Sequence, residues 1–135
     1  MARRRSRLIA GDHTEESGAS AAGSLIGSDP RPTAVLTYND RSAIGLLDAL
    51  RQAGIPVPDE ISIIGYDDSP LSRLAHINLT TVSQNAHELT QHAIATLMQR
   101  LEGDRTEHRE IILRPRLTIR GTTAAPPQRG ERGDG

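Results

Sequence analysis

Ile61-Ser62-Ile63-Ile64-Gly65-Tyr66-Asp67-Asp68 is the stretch that decides the fold. Its first four residues are almost continuously apolar, which burial on both faces of a parallel sheet explains better than a half-wet hairpin. The stretch before it, Ala53-Gly54-Ile55-Pro56-Val57-Pro58-Asp59-Glu60, reads as the end of a helix. Gly54 stands where a C′ glycine belongs, and the two prolines prevent continuation. Behind the isoleucines the chain passes through Gly65 to two carboxylates. An apolar strand that ends in a polar group is how an open α/β sheet presents a ligand crevice at its strand ends.

Working outward, the same alternation repeats. Ala34 to Tyr38 reads as a strand. Asn39 is a good N-cap for the helix behind it, with Asp40 in the first turn. Ala43, Leu46, Leu47, Leu50 and Ala53 then make an apolar stripe at helical spacing. Further upstream, Leu8 to Ala10 predicts a short strand that stops at Gly11-Asp12. Thr14 to Ile26 predicts a helix capped by Thr14 or Asp12, with a thin apolar face of Ala19, Ala22, Leu25 and Ile26.

Downstream, Asp67-Asp68-Ser69-Pro70 predicts a short helical turn, and Thr80 to Val82 another strand. Ala86, Leu89, Ala93, Leu97 and Leu101 recur at three and four residues and predict the clearest helix, residues 86–101. Glu110 to Leu113 and Leu117 to Ile119 read as a strand pair broken at Pro115, so the last strand is expected at an edge or crossing between lobes. Residues 1–7, rich in arginine, read as a disordered basic end. Residues 122–135, rich in Pro, Gly, Arg and Glu, read as a disordered tail. Strand and helix in alternation predict an α/β fold: an open, mostly parallel sheet with flanking helices.

Composition closes off several functions. The 135 residues hold 16 Lys+Arg against 17 Asp+Glu, a net charge of -1, so there is no general attraction to nucleic acid. The chain has no Cys, which excludes disulfides and thiol catalysis and fits a cytoplasmic setting. No apolar stretch approaches the roughly 18 residues of a membrane span. The N-terminal arginines lack the apolar segment of a signal peptide. There is no phosphate-binding glycine motif, so no nucleotide cofactor is expected. The histidines at 13, 76, 87, 92 and 108 make no metal pattern: His87 and His92 are five apart, on different helix faces. Asp67 and Asp68 are too close in sequence to flank a scissile bond, and no nucleophile elbow is present, so no enzyme is predicted. With no Phe, no Trp and only Tyr38 and Tyr66, the composition argues against an aromatic stacking platform.

Asn39 and Asp67 are the strongest candidates for function. Each follows an apolar strand, and such positions face one crevice in an open α/β sheet. An Asn offers donor and acceptor, and an ionised Asp offers acceptors, which suits a ligand with several hydroxyls or a ring nitrogen. The competing reading is that Asn39 only caps its helix and Asp67 only caps the following turn. Ile44 falls off the main stripe of its helix, which fits either a partner surface or burial within the chain.

The order of these motifs, from Pro32-Thr33-Ala34-Val35 and Asn39-Asp40 through Ile61–Asp68, Leu79-Thr80-Thr81-Val82 and the ending Arg116-Leu117-Thr118-Ile119-Arg120-Gly121-Thr122-Thr123, resembles the effector-binding domain of the LacI/GalR family of transcription regulators. The resemblance covers about residues 8–121 and implies one lobe, the C-terminal one, of a periplasmic-binding-protein-like (type I) fold. Helix 86–101 would belong to the other lobe, leaving its Leu89-Ala93-Leu97 face without a partner. The family's effector ligands would fall on Asn39, Asp67 and Gln84. His13 matches a position where members carry an aromatic stacking residue. Ala86 matches another such position, so the hydrogen-bonding residues are kept and the aromatic wall is lost. Side-by-side dimerisation would use the regions of Ile44 and Leu74. The resemblance therefore implies a truncated regulator fragment that senses a small polar effector, such as a sugar or nucleoside, and self-associates, with no DNA-binding headpiece and no direct DNA binding of its own. A fragment of a periplasmic-type sugar-binding protein is the alternative.

Overall fold

The computed structural model describes residues 6–103, 107–108 and 110–127. Its frame is a four-stranded sheet in the order β1-β2-β3-β4, made of β1 (Ala34–Leu36), β2 (Ser62–Tyr66), β3 (Thr80–Ser83) and β4 (Arg116–Thr118). β1 and β2 run parallel with Ala34 opposite Ser62, and β2 and β3 run parallel with Ile64 opposite Thr80. β4 is antiparallel to β3, with Leu117 opposite Val82, and lies at the edge, as Pro115 requires. The three parallel strands therefore finish on the same side of the sheet.

Local signals build the helices as the sequence predicts. Helix α1 (Glu15–Ile26) starts where Thr14 Oγ1 accepts a hydrogen bond from the Ser17 N–H at 3.1 Å. Helix α2 (Asp40–Gln52) starts where Asn39 Oδ1 accepts from the Ser42 N–H at 2.9 Å. Each cap satisfies a backbone donor that the helix itself leaves orphaned. Gly54, just past the end of α2, adopts φ +72, the left-handed geometry that glycine takes without cost. The core is the meeting of these elements: Leu46, Leu47 and Leu50 of α2 with Ile61, Ile63 and Leu79, all buried, joined by Ala22 and Leu25 of α1.

Two glycines let α1 and α2 touch backbone to backbone. A Cβ on Gly45 would stand 1.9 Å from the Glu15 carbonyl oxygen, and one on Gly18 would stand 2.1 Å from that of Ser42. Both positions therefore require glycine. Beside this contact Arg41 makes a two-pronged ion pair with Glu15, at 2.8 and 2.7 Å.

Four expectations are corrected. Leu8 to Ala10 forms no strand: no neighbouring strand pairs with it, Leu8 is exposed, and only Ile9 packs on the core. Glu110 to Leu113 also joins no ladder, and the strand begins only past Pro115. Ala53 of the α2 stripe is exposed, because the helix has already ended at Gln52. The tail does not start at residue 122. Thr122 is buried, its hydroxyl accepts from the Thr80 N–H and donates to the Ile63 carbonyl, and its own carbonyl accepts from the Ile63 N–H. It is a wedge between β2 and β3, and Ala124 continues it with bonds to the Ser62 hydroxyl. Residues 1–5 of the basic end and 128–135 of the tail lie outside the described residues. Helix α3 (Ala86–Leu101) forms at the predicted place, and none of its described side chains is buried.

Candidate functional site

At the carboxyl ends of the three parallel strands, Tyr38, Tyr66, Asp67 and Gln84 line an open cavity of about 340 Å³. Tyr38 follows β1, Tyr66 and Asp67 close β2, and Gln84 follows β3. Gln84 Nε2 donates to Asp67 Oδ1 at 2.9 Å, which orients the carboxylate and leaves Oδ2 with no described hydrogen bond. Both tyrosines are partly exposed, so their rings present apolar faces and their hydroxyls polar tips. Such a set suits a small ring-shaped molecule with hydroxyls: faces for the ring, and acceptors and donors for its rim.

Aromatic surface at the cavity comes from residues other than the ones the resemblance implied. Tyr38 and Tyr66 supply aromatic surface at the cavity, and the His13 ring stacks on Tyr38 with 3.6 Å between centroids and 17° between planes. Sequence reasoning missed both tyrosines as site residues because two aromatics looked too few. The usable signal was position: each directly precedes a candidate, Asn39 or Asp67, at a strand end.

The other candidates are placed as follows. Asn39 is not among the lining residues. Its Oδ1 caps α2 and its Nδ2 donates to the His13 carbonyl at 2.9 Å, so both ends of the amide are engaged within the chain. It thereby fixes the segment that carries His13, one ring behind the cavity wall. Ile44 is half-buried and packs against the core, while Leu74 is exposed beyond the short helical turn Pro70–Arg73. Among the described residues no cluster of three or more His, Asp or Glu side chains could hold a metal ion.

Asp67 stands on an unusual backbone. It has φ +117 and Asp68 has φ +52, two successive residues in territory that costs a non-glycine residue roughly 1–3 kcal/mol each. Every N–H of the turn is held. Asp67 N–H donates to the Val82 carbonyl at 2.9 Å, Asp68 N–H to Thr81 Oγ1 at 3.4 Å, and Ser69 N–H to Asp40 Oδ2 at 2.6 Å. Asp40, fully buried at the start of α2, also accepts from Thr81 Oγ1 at 2.5 Å. It fits because Gly65 leaves room: a Cβ there would stand 2.3 Å from Asp40 Oδ1. The Asp68 carboxylate is gripped by Arg120 at 2.5 Å and Arg73 at 2.9 Å. Burial pushes the Asp68 carboxyl up, but the hydrogen bonds and charges of Arg120 and Arg73 outweigh it and hold it below the usual aspartate range. Sequence reading placed Asp40 only in the first turn of its helix and gave Arg120 no role.

Parallel strand ends that gather two tyrosines, a carboxylate and an amide around an open cavity define a small-molecule-binding lobe. The chain belongs to the periplasmic-binding-protein-like domain family, whose model matches residues 2–123, as an effector-binding domain of the LacI/GalR type. It is 41% identical over 121 residues to the HTH-type transcriptional regulator MalR of Streptomyces coelicolor, covering 90% of this chain and 34% of that protein. Among solved structures it is similar to a LacI transcriptional regulator from a Rhodococcus species, with TM-score 0.76 and 39% identity, over 84% of this chain and 41% of that one. It is also similar to a LacI family regulator from Enterococcus faecium with bound ribose, with TM-score 0.76 and 32% identity, over 83% of this chain and 41% of that one. The chain thus spans about a third of the length of the curated relative it matches. LacI/GalR-type regulators are not enzymes. Among the described residues, no helix is long and apolar enough to cross a membrane.

Proposed function

We propose that this domain senses a small polar effector, a sugar or a nucleoside, for a LacI/GalR-type transcription regulator in the cytoplasm. Tyr38 and Tyr66 pack against the effector's ring, and Asp67 with Gln84 hydrogen-bonds its hydroxyls. The observation that carries this reading is the convergence of these four side chains at the ends of three parallel strands. Asn39 and His13 act from behind, the first by holding the His13 segment and the second by bracing Tyr38. Self-association through the faces of Ile44 and Leu74, α3 as part of a second lobe, and no direct DNA contact from these residues complete the reading.

Calorimetric titration of the chain with D-ribose, D-glucose, sucrose and adenosine tests it. The expected result is saturable binding of at least one, weakened about tenfold or more by Asp67→Asn, since a hydrogen bond to a charged group contributes about 1.5–3 kcal/mol. Binding that Asp67→Asn and Tyr38→Ala both leave unchanged, or no binding of any of the four, would refute it.

A further inference from the structure

Asp67 is the charged member of the cavity lining, and its backbone conformation is one that aspartate does not adopt unaided. A turn of this kind persists only where its surroundings over-determine it. Beside the backbone bonds to Val82, Thr81 and Asp40, the turn's one largely buried side-chain ion pair among the described residues is made by Arg120, two residues past β4 and far from the cavity in sequence. Its Nη2 reaches Asp68 Oδ1 at 2.5 Å, while Nη1 donates to the Leu79 carbonyl at 2.8 Å and to Ser72 Oγ at 3.1 Å. The guanidinium therefore joins the Asp67-Asp68 turn to the approach to β3 and to the short helical turn behind it. The side chains of this ion pair are only 15% and 12% exposed, so solvent screens them little. Arg73, the other partner of Asp68, is 62% exposed and holds less firmly. Arg120 is itself anchored: its N–H donates to Thr80 Oγ1 at 2.8 Å, and the Thr122 wedge follows at once.

We infer that Arg120 is a positioning residue for effector binding: it grips Asp68 and so holds Asp67 toward the cavity. The inference rests on the reading of Asp67 as an effector-binding carboxylate. A lysine could offer its ammonium to Asp68 but could not span Asp68, Ser72 and the Leu79 carbonyl with a planar fork.

Amide hydrogen exchange of the whole chain by NMR tests the grip without any effector. Arg120→Met is expected to speed exchange at Asp67, Asp68 and Ser69 by about tenfold or more while the α2 amides of Leu46, Leu47 and Leu50 keep their rates. Arg120→Lys should fall between. Asp68→Asn keeps the side-chain shape and a residue tolerant of positive φ, and should speed the same amides even if Arg120→Met does not fold. Unchanged rates at the turn, or rates raised by one common factor through α2 and β2, would overturn the inference. In the effector arm, titration with D-ribose, D-glucose, sucrose and adenosine should show Arg120→Met weakening any binding as Asp67→Asn does, with partial recovery in Arg120→Lys. Wild-type binding that Arg120→Met leaves intact would also overturn it. A wild-type chain that binds none of the four would sink the effector reading instead, and the exchange rates at the turn would still decide whether Arg120 holds it.

Discussion

Helices α2 and α3 both carry apolar residues at three- and four-residue spacing, yet Leu46, Leu47 and Leu50 of α2 are at most 1% exposed while Leu89 and Leu97 of α3 are 53% and 57% exposed. Their starts differ in the same way. Asn39 caps α2 through its side chain, whereas Asn85, at the start of α3, has φ +54, makes no capping bond and turns its amide to Glu88 instead. Periodicity thus determines that a segment is helical and which face is apolar. It does not determine that the face is covered. In α2 the cover comes from β2 and from α1, brought to backbone contact by Gly18 and Gly45. Burial is what turns an apolar stripe into stability, because only area removed from water offsets the entropy of ordering the chain.

The sharpest way to break this contrast is in α2. Leu50 is fully buried among Leu46, Leu47, Ile61 and Ile63. Leu50→Ala removes its contacts and leaves a void in the buried core, so the expected loss is about 3 kcal/mol, within the range of buried leucine truncations. Equilibrium urea unfolding followed by circular dichroism measures it. A loss under about 1 kcal/mol would mean that α2 is no better packed in solution than α3.

An intermediate effect is expected at the turn beside the cavity, where stability comes from charge rather than apolar area. Asp68→Asn exchanges a carboxylate held by two arginines for a neutral amide, and the expected cost near neutral pH is about 1–2 kcal/mol. Its pH dependence has a definite sign. The folded chain holds the Asp68 carboxyl below its ordinary value of 3.8, so in acid the unfolded chain binds the proton first. The contribution of Asp68 is therefore fully present above about pH 4 and is lost as pH falls through the lowered folded value. Wild type and Asp68→Asn should differ in stability at pH 7 and converge as the pH drops below 4. A difference that stays constant down to the acid limit would show that the carboxylate's charge is not what Arg120 and Arg73 hold.

Much of the fold was legible because its signals are local. The Thr14 and Asn39 caps, the α2 stripe, the Gly54 stop and the isoleucine run of β2 each state their structure within a few residues. What was not legible depends on residues that meet across long sequence distances. Gly18 and Gly45 look like helix breakers until α1 and α2 are seen to touch at them. Thr122 looks like the first residue of a polar tail until its hydroxyl is found between Ile63 and Thr80. The site divides in the same way. Asp67 was singled out from its place at a strand end and Gln84 only through the family resemblance, and the two hydrogen-bond to each other at the cavity. Tyr38 and Tyr66 were passed over, and Asp40 and Arg120 carried no pattern that could announce a part in fixing the turn. Leu8 to Ala10 erred in the opposite direction: its apolar character was real, but a strand needs a neighbour, and none pairs there.

The smallest expected effect is also the most discriminating. Leu97 lies midway along the α3 stripe, and Leu97→Ala should change stability by no more than about 0.5 kcal/mol, as for a surface substitution that leaves no cavity. The helix itself is not weakened, since alanine favours helix at least as well as leucine. What the variant loses is exposed apolar surface on a helix whose Leu89, Ile94, Met98 and Leu101 are exposed as well. A loss approaching that of Leu50→Ala would mean that the face is covered in solution. Repeating the unfolding over a range of protein concentrations then tells what covers it. If the cost grows with concentration, the cover is a second copy, because only association makes apparent stability depend on concentration. If it does not, α3 folds back on its own chain, and the contrast between the two helices disappears.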